Sequence, residues 1–200
     1  RDLARLVLLD SAHLQEEEAA RRDRRARRSG AKERVTPLYD ELDVMDAFDL
    51  FGPPARYGQA ITLFPGVRVT FFEAGHILGS ASILLELEEE GERRSVLFSG
   101  DLGRPGNPLL HDASPPEGVD VVVMETTYGD RDHRSREASV AEFEEALRRA
   151  ASAGGNIVIP TFALERAQEL LFHIRDGMAS ERIPKSLHVF LDSPMAISAT

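Results

Sequence analysis

Two side chains that commonly bind metals lie in glycine-flanked turns after short apolar runs. His76 belongs to GHILGSA at residues 75–81, and Asp101 belongs to SGDLG at residues 99–103. Glycine allows the backbone to bend sharply, so that such a side chain can point toward a ligand. Either feature alone is typical of an ordinary turn. Together they predict a pair of metal ligands, because neutral imidazole and carboxylate both suit zinc or manganese.

A third candidate, Glu125, follows the apolar run at residues 119–124 and begins the segment ETTYGD. Three acids or imidazoles at the ends of three predicted strands indicate a single site. A metal ion lowers the pKa of its bound water toward neutrality. Hydrolysis of a phosphodiester or an amide is therefore the chemistry that this pattern favours.

Composition limits both the metal site and the class of protein. The chain has 200 residues, with no cysteine, six histidines and 34 acidic residues. Disulfides, iron–sulfur clusters and cysteine zinc sites are therefore excluded, and any metal must be held by nitrogen and oxygen atoms. The net charge of −10 argues against coating nucleic acid by bulk electrostatics, although a local groove can still be basic. No apolar run reaches roughly 18 residues and the first residues lack a signal-peptide core, which predicts a cytoplasmic protein without a membrane partner.

The hydrophobic pattern predicts a sheet followed by alternating strands and helices. Four β-rich runs separated by turn residues indicate an antiparallel sheet over residues 59–63, 67–72, 82–87 and 95–98. Further strands are predicted at residues 3–9, 119–124, 157–160 and 188–191, and helices at residues 14–28, 40–48, 139–151 and 164–176. A meander followed by alternating strands and helices implies two architectures in one chain.

Six segments resemble, in order, those of the metallo-β-lactamase fold, and within it the β-CASP group of nucleic-acid-processing nucleases. They are DSAHLQE at 10–16, GHILGSA at 75–81, SGDLG at 99–103, ETTYG at 125–129, IPTFAL with RAQE at 159–169, and DSPMA at 192–196. Each segment is weak alone, but six in the family's order form a specific pattern that covers nearly the whole chain. The resemblance implies an α/β fold. Residues 1–134 would form part of the αββα metallo-β-lactamase sandwich, and residues 135–200 the start of an inserted α/β β-CASP domain.

The resemblance also implies roles for the candidate residues. His76 is similar to a zinc ligand of the family, and Asp101 to the catalytic carboxylate that bridges two metals. Glu125 resembles the first acidic motif of the β-CASP group, which lies beside the metal centre and orients a histidine. In that family two zinc ions, with manganese as an alternative here, activate a water that attacks a phosphodiester of RNA, expected to be single-stranded. Arg104 and Arg166 are candidates for phosphate contacts, although an arginine near a helix start is more often an ordinary surface residue.

Three departures from the family pattern affect these expectations. The signature His-x-His-x-Asp-His and the family's later histidine motifs do not occur in the 200 residues, and Glu165 stands where the family usually has glycine. We therefore expect an internal fragment of a longer zinc-dependent ribonuclease, inactive by itself, with a homodimer left open. One alternative is a non-catalytic scaffold subunit that binds RNA or a partner enzyme. Another is a nuclease of the same fold that acts on DNA. A small-molecule substrate is disfavoured, because residues 162–169 resemble the inserted domain that clamps nucleic acid in the family.

The remaining histidines have more ordinary interpretations. His13 and His133 flank candidate site loops, and such residues are more often loop hydrogen-bonders than ligands. His111, His173 and His188 are interpreted as structural.

Overall fold

The structure is a computed structural model that describes residues 1–30 and 35–200. These residues form two units, Arg1–Pro54 with Leu191–Thr200, and Ala55–Phe190. The domain boundary expected between residues 134 and 135 stays a prediction. No helix of the described residues is both long and apolar enough to cross a bilayer. In chain order the elements are α1 (Asp2–Arg28), α2 (Glu41–Asp49), β1 (Ile61–Phe64), β2 (Val67–Glu73), β3 (Ala81–Glu89), β4 (Glu92–Phe98), β5 (Val121–Val123), α3 (Arg136–Ser152), α4 (Arg166–Ala179) and α5 (Pro194–Ala199).

The first unit is helical, so the strand predicted at residues 3–9 is wrong. Helix α1 includes both that run and the helix predicted at residues 14–28. Leucine is a good helix former, and Val7 is the one β-branched residue of the run, so local preference favours a helix. Leucines of the run also pack with helix α2 around Phe48. Residues 3–9 are only partly buried, and their apolar character did not distinguish a strand from a helix.

Helix α2 confirms the helix predicted at residues 40–48 and begins with a capping box. The Asp40 side chain accepts hydrogen bonds from the N–H groups of Leu42 and Asp43, at 2.9 and 3.0 Å. The Asp43 side chain accepts in return from the Asp40 N–H at 3.0 Å. These bonds satisfy N–H groups that the first turn of a helix leaves without intrahelical partners.

The second unit contains a five-stranded sheet in the order β1-β2-β3-β4-β5. The four predicted β runs are confirmed as strands β1 to β4, which pair antiparallel in chain order. Strand β5 pairs parallel with β4, and Phe98 lies opposite both Ile83 of β3 and Val123 of β5. Strands β2, β4 and β5 therefore end, and β3 begins, along one edge of the sheet. We call this edge the site edge and define it by the loops at residues 74–80, 99–103 and 124–129. The mixed α/β class predicted from the sequence is confirmed.

Two further predicted strands are wrong. Residues 157–160 and 188–191 belong to no strand in the described part of the chain, and Val158 and Phe190 are almost fully exposed. Apolar composition favoured buried strands, but a strand also needs a neighbour for its backbone hydrogen bonds. Neither segment pairs with β1 or β5, the two edge strands of the sheet.

Helix α5 was not predicted, although its start carries a recognisable signal. Ser193 is the N-cap, and its hydroxyl accepts a hydrogen bond from the Ala196 N–H at 3.2 Å. Pro194 occupies the first helical position, where the missing N–H costs nothing. Serine followed by proline could therefore have indicated this short helix.

Helices α3 and α4 confirm the helices predicted at residues 139–151 and 164–176 and pack together. Their shared core consists of Leu147, Ile174 and Ile183. The buried Glu144 lies beside this core, and Arg182 Nε donates to its two oxygens at 2.9 and 3.1 Å. This pairing compensates a carboxylate that would be costly to bury alone.

Asp120 fastens the start of strand β5 to strand β4. Its Oδ2 accepts from the Ser95 N–H at 2.7 Å and from the Ser95 hydroxyl at 2.8 Å. These bonds, that of the hydroxyl first, lower the pKa of Asp120 from its ordinary value of 3.8. The ionised carboxylate therefore stabilises the folded sheet.

We expect Asp120→Asn to lower the melting temperature at pH 7, because the ionised acceptor is lost. A group with a lowered folded-state pKa stabilises the fold above its unfolded-state pKa and loses this effect as the pH falls through the folded-state value. The difference in melting temperature between wild type and variant should therefore shrink between pH 7 and pH 3 in circular dichroism melts. Glu117→Gln removes the same charge without touching the Ser95 contacts and serves as the control. An equal difference at both pH values would contradict the assignment.

Candidate metal centre

A backbone contact between two loops of the site edge holds the predicted metal ligands together. The Gly103 N–H donates to the Ala74 carbonyl at 2.8 Å. A Cβ at position 103 would lie 1.6 Å from the Gly75 carbonyl oxygen, so a side chain does not fit there. Gly75 has a φ of +65°, in the left-handed region that favours glycine. The loops that carry His76 and Asp101 are thereby in direct backbone contact.

The structure places the His76 and Asp101 side chains next to each other. His76 Nε2 lies 4.0 Å from Asp101 Oδ2. The Asp101 side chain is 78% exposed and that of His76 is 44% exposed, so both remain accessible to a ligand. The Ser80 hydroxyl accepts from the N–H groups of His76 and Ile77, at 3.0 and 3.2 Å, which fixes the turn that presents the imidazole.

Glu125, the third predicted site residue, is oriented by backbone donors. The Leu102 N–H donates to its Oε1 at 3.3 Å, and the Thr127 N–H donates to its Oε2 at 2.9 Å. The hydrogen bonds from Thr127, followed by that from Leu102 and by the nearby His76, lower the pKa of Glu125. The side chain is therefore an ionised acceptor, as an acid that orients a histidine must be.

Two buried serines connect the strands that deliver these residues. The Ser82 hydroxyl at the start of β3 donates to the Ser99 carbonyl at the end of β4, at 2.8 Å. The Ser99 N–H donates to the Val123 carbonyl of β5 at 2.9 Å, and the Ser99 hydroxyl accepts from the Glu125 N–H at 3.0 Å. The positions of the Asp101 and Glu125 loops are thus coupled through one residue.

The nature of these donors suits a divalent metal. Two ligands of one tetrahedral zinc ion, each bound at about 2.0–2.1 Å, lie about 3.4 Å apart. The separation of 4.0 Å between His76 Nε2 and Asp101 Oδ2 is longer than that distance, so binding one ion requires a small movement of the exposed Asp101 side chain. An imidazole nitrogen and a carboxylate oxygen suit zinc and manganese. They supply two positions, and a four-coordinate site requires further ligands.

A different group of donors lies in the helical unit and includes His13. Within residues 1–30 and 35–200, one set of three histidine or carboxylate residues has all its donor atoms within 4.8 Å, namely His13, Glu16 and Glu41. His13 lies on helix α1 rather than in a loop, with Nε2 3.5 Å from Glu17 and Nδ1 3.7 Å from Glu41. All these side chains are largely exposed, and exposed ion pairs contribute little stability.

A cavity of about 360 Å³ opens beside His76. Tyr128 and His133 line it, with ring centroids 4.4 Å apart. Helices α3 and α4 with the residues before α4 supply the opposite lining residues, which include Arg136, Glu165, Arg166, Glu169 and His173. Arg104, a candidate for phosphate contact, also lies on the wall.

His173, interpreted as structural from the sequence, lies on the same cavity as His76. The sequence signal for this placement was the four-residue spacing between Glu169 and His173 on a predicted helix, which puts both side chains on one helix face. In the structure His173 Nε2 lies 3.9 Å from Glu169 Oε1.

Glu165, the residue that replaces the family's usual glycine, adopts an uncommon backbone conformation. Its φ is +65° and its ψ is −60°. The Arg166 N–H donates to the Leu164 carbonyl at 2.8 Å, which closes a γ-turn of the strained type. The Glu165 carboxylate accepts from Asn107 Nδ2 at 2.9 Å. A glycine would adopt this conformation at lower cost, which gives a physical reason for the family pattern.

We expect Gly103→Ala to destabilise the protein by more than about 2 kcal/mol, because the new methyl group overlaps the Gly75 carbonyl and forces two loops apart. Gly155→Ala is the matched control, since the nearest atom to its Cβ would be 3.9 Å away. Urea unfolding of both variants measures the difference. Equal stability of the two variants would show that the loops are not in this contact.

We expect Glu165→Gly to be more stable than Glu165→Ala by about 1–2 kcal/mol, because only glycine relieves the strained backbone. Both variants lose the hydrogen bond from Asn107, so their comparison isolates the backbone conformation. Thermal melts of the two proteins under one buffer condition provide the measurement. A melting temperature of Glu165→Gly at or below that of Glu165→Ala would be incompatible with a positive φ at this position.

Comparison with known proteins identifies several relatives of this chain. Ribonuclease TTHA0252 of Thermus thermophilus is 41% identical over 170 residues, which cover 80% of this chain and 37% of that protein. Endoribonuclease ysh1 of Schizosaccharomyces pombe is 32% identical over 160 residues, covering 80% of this chain and 20% of that protein. Cleavage and polyadenylation specificity factor subunit 3 of Dictyostelium discoideum is 35% identical over 135 residues, covering 67% of this chain and 17% of that protein. No protein-family model matches the chain.

The mixed α/β fold, the paired loops of the site edge and these relatives agree with the resemblance read from the motifs. The chain belongs to the β-CASP group of the metallo-β-lactamase fold. It spans little more than a third of the length of the Thermus thermophilus relative and a fifth or less of the other two.

Proposed function

We propose that the complete protein containing this chain is a metal-dependent ribonuclease that hydrolyses phosphodiesters of RNA. The observation that carries the proposal is the 4.0 Å approach of Asp101 Oδ2 to Nε2 of His76, which lines the cavity. The names of the relatives, ribonuclease and endoribonuclease, support RNA as the substrate. Two zinc ions, or manganese in their place, are the metals that we propose for this donor set.

The residues of this chain would then have distinct tasks. A bound divalent metal supplies polarisation of the phosphodiester and a water of lowered pKa. His76 offers the lone pair of a neutral imidazole, and Asp101 offers an exposed carboxylate able to bridge two ions. Glu125 stays ionised because its hydrogen bonds from Thr127 and Leu102 favour the charge. It can therefore hold a histidine N–H in a fixed direction, as carboxylates beside metal sites do.

The cavity walls suit RNA in both charge and shape. Arg104, Arg136 and Arg166 lie on the walls and can balance phosphate charge. The exposed pair of Tyr128 and His133 offers ring surface on which a base can stack, as in proteins that bind single strands. A local basic wall is compatible with the net charge of −10, because that charge describes the whole chain rather than the cavity. Cytoplasmic location and homodimer formation stay predictions.

We expect His76→Ala and Asp101→Ala each to reduce RNA cleavage by the complete protein more than about 100-fold, because each removes a metal ligand. A labelled single-stranded RNA separated on denaturing gels gives the rate. His188→Ala serves as the control, because this exposed histidine lies outside the cavity lining. A chelator should abolish cleavage, and added zinc or manganese should restore it.

Two results would overturn the proposal. Wild-type rates in both the His76 and Asp101 variants would remove these residues from the metal centre. RNA binding without cleavage by the metal-loaded wild type would favour a scaffold subunit instead, and cleavage of DNA alone would change the substrate.

A further inference from the structure

One carboxylate is buried between two arginines on the wall of the cavity. The Glu169 side chain is 9% exposed. Arg136 Nη1 on helix α3 donates to its Oε1 at 2.8 Å, and Arg166 Nη1, one turn earlier on α4, donates to its Oε2. A buried carboxylate requires such partners, since an unpaired one is costly. One arginine would neutralise its charge, so the second guanidinium brings an additional positive charge.

The two arginines differ in their access to the cavity. The Arg136 side chain is 22% exposed, whereas that of Arg166 is 63% exposed. A guanidinium has five N–H donors in a planar fork, and the bond to Glu169 engages one nitrogen of Arg166. The other nitrogens of this exposed side chain remain accessible to a ligand in the cavity. Arg136 is the more buried arginine of the pair, and it contacts Glu169 from helix α3.

The place of Arg166 in its helix is electrostatically unfavourable. It is the first residue of helix α4, where the partial positive charge of the helix start disfavours a cation. Glu169, three residues later, offsets this cost and restricts the direction of the guanidinium. Three arginines and two glutamates line the cavity, so its lining carries more cationic than anionic side chains.

We propose that Arg166 binds a backbone phosphate of the RNA in this cavity, and that Glu169 is the positioning residue that holds its guanidinium. The inference rests on the proposed ribonuclease function and names a phosphate subsite within it. Planar, paired N–H donors match the geometry of phosphate oxygens, and fixing them before binding reduces the entropy lost on binding. Arg166 therefore contributes to RNA affinity rather than to metal binding.

Binding is measured on the complete protein carrying Asp101→Ala, so that RNA stays intact. Fluorescence anisotropy with a labelled single-stranded RNA is recorded at several salt concentrations. We expect Arg166→Ala to weaken binding about 10-fold and to reduce the salt slope by about 0.7, the value for one phosphate contact on a single strand. Arg166→Lys should retain the slope and recover part of the affinity.

Arg175→Ala is the matched control for charge. Arg175 lies on the same helix, with its guanidinium 5.7 Å from the Phe172 ring centroid, and is not part of the cavity lining. We expect its removal to leave the affinity and the salt slope unchanged. Equal losses in the two alanine variants would mean that Arg166 acts only through overall charge, which overturns the inference.

The role of Glu169 is tested by a double-mutant cycle with Arg166 and by steady-state kinetics of RNA cleavage. Glu169→Gln should weaken RNA binding and, with Asp101 intact, should raise KM for RNA while changing kcat little. In the Arg166→Ala background the same change should have no further effect on affinity, because the group that it positions is absent. Additive losses would show that Glu169 is merely structural. A melt of Glu169→Gln establishes that the variant is folded at the assay temperature.

The two hypotheses fail in different ways. A wild type that neither binds nor cleaves RNA refutes the ribonuclease function and the phosphate subsite together. A wild type that cleaves RNA, with an Arg166→Ala variant that binds as wild type, refutes the subsite alone.

Discussion

The backbone contact of Gly103 with residues 74 and 75 is the constraint on which the site depends. Without a side chain at position 103, two loops from different strand ends approach closely enough for a hydrogen bond of 2.8 Å. That approach brings His76 Nε2 and Asp101 Oδ2 to within 4.0 Å of each other. The candidate metal centre therefore depends on a position where the chain carries no side chain at all.

The sheet makes this contact possible through its mixed topology. An antiparallel meander alone would bring the end of β2 and the end of β4 to one edge, and the parallel addition of β5 brings Glu125 to the same edge. Ser99 links these strand ends by bonding to both Val123 and Glu125. Helices α3 and α4 then supply the cationic wall. The candidate metal ligands and the arginines of the cavity wall thus come largely from different elements of the second unit, the loops of the sheet and helices α3 and α4.

Sequence reasoning identified the residues whose placement is local and missed those that depend on distant packing. His76, Asp101 and Glu125 each follow an apolar run directly, so strand prediction was enough to suggest that they meet. The Glu169–Arg136 pair joins residues 33 positions apart on two helices, and no short pattern encodes that approach. The errors at residues 3–9 and 157–160 have a related cause. An apolar run indicates burial, but it does not specify which groups form hydrogen bonds with the backbone of that segment.

The length of some loops in this fold can change at little cost in stability. The Asn107–Glu165 bond closes a loop of 58 residues and the Glu169–Arg136 bond one of 33, yet the difference in closure entropy is only about 0.5 kcal/mol. Residues 111–114 of the connection between β4 and β5 lie against Glu73 and Gly75. Residues added to this connection beyond Ser114 would cost little and would not enter the glycine contact. Insertions and deletions can therefore be accommodated in that connection. Residues 74–76 and 101–103, in contrast, leave almost no room for them.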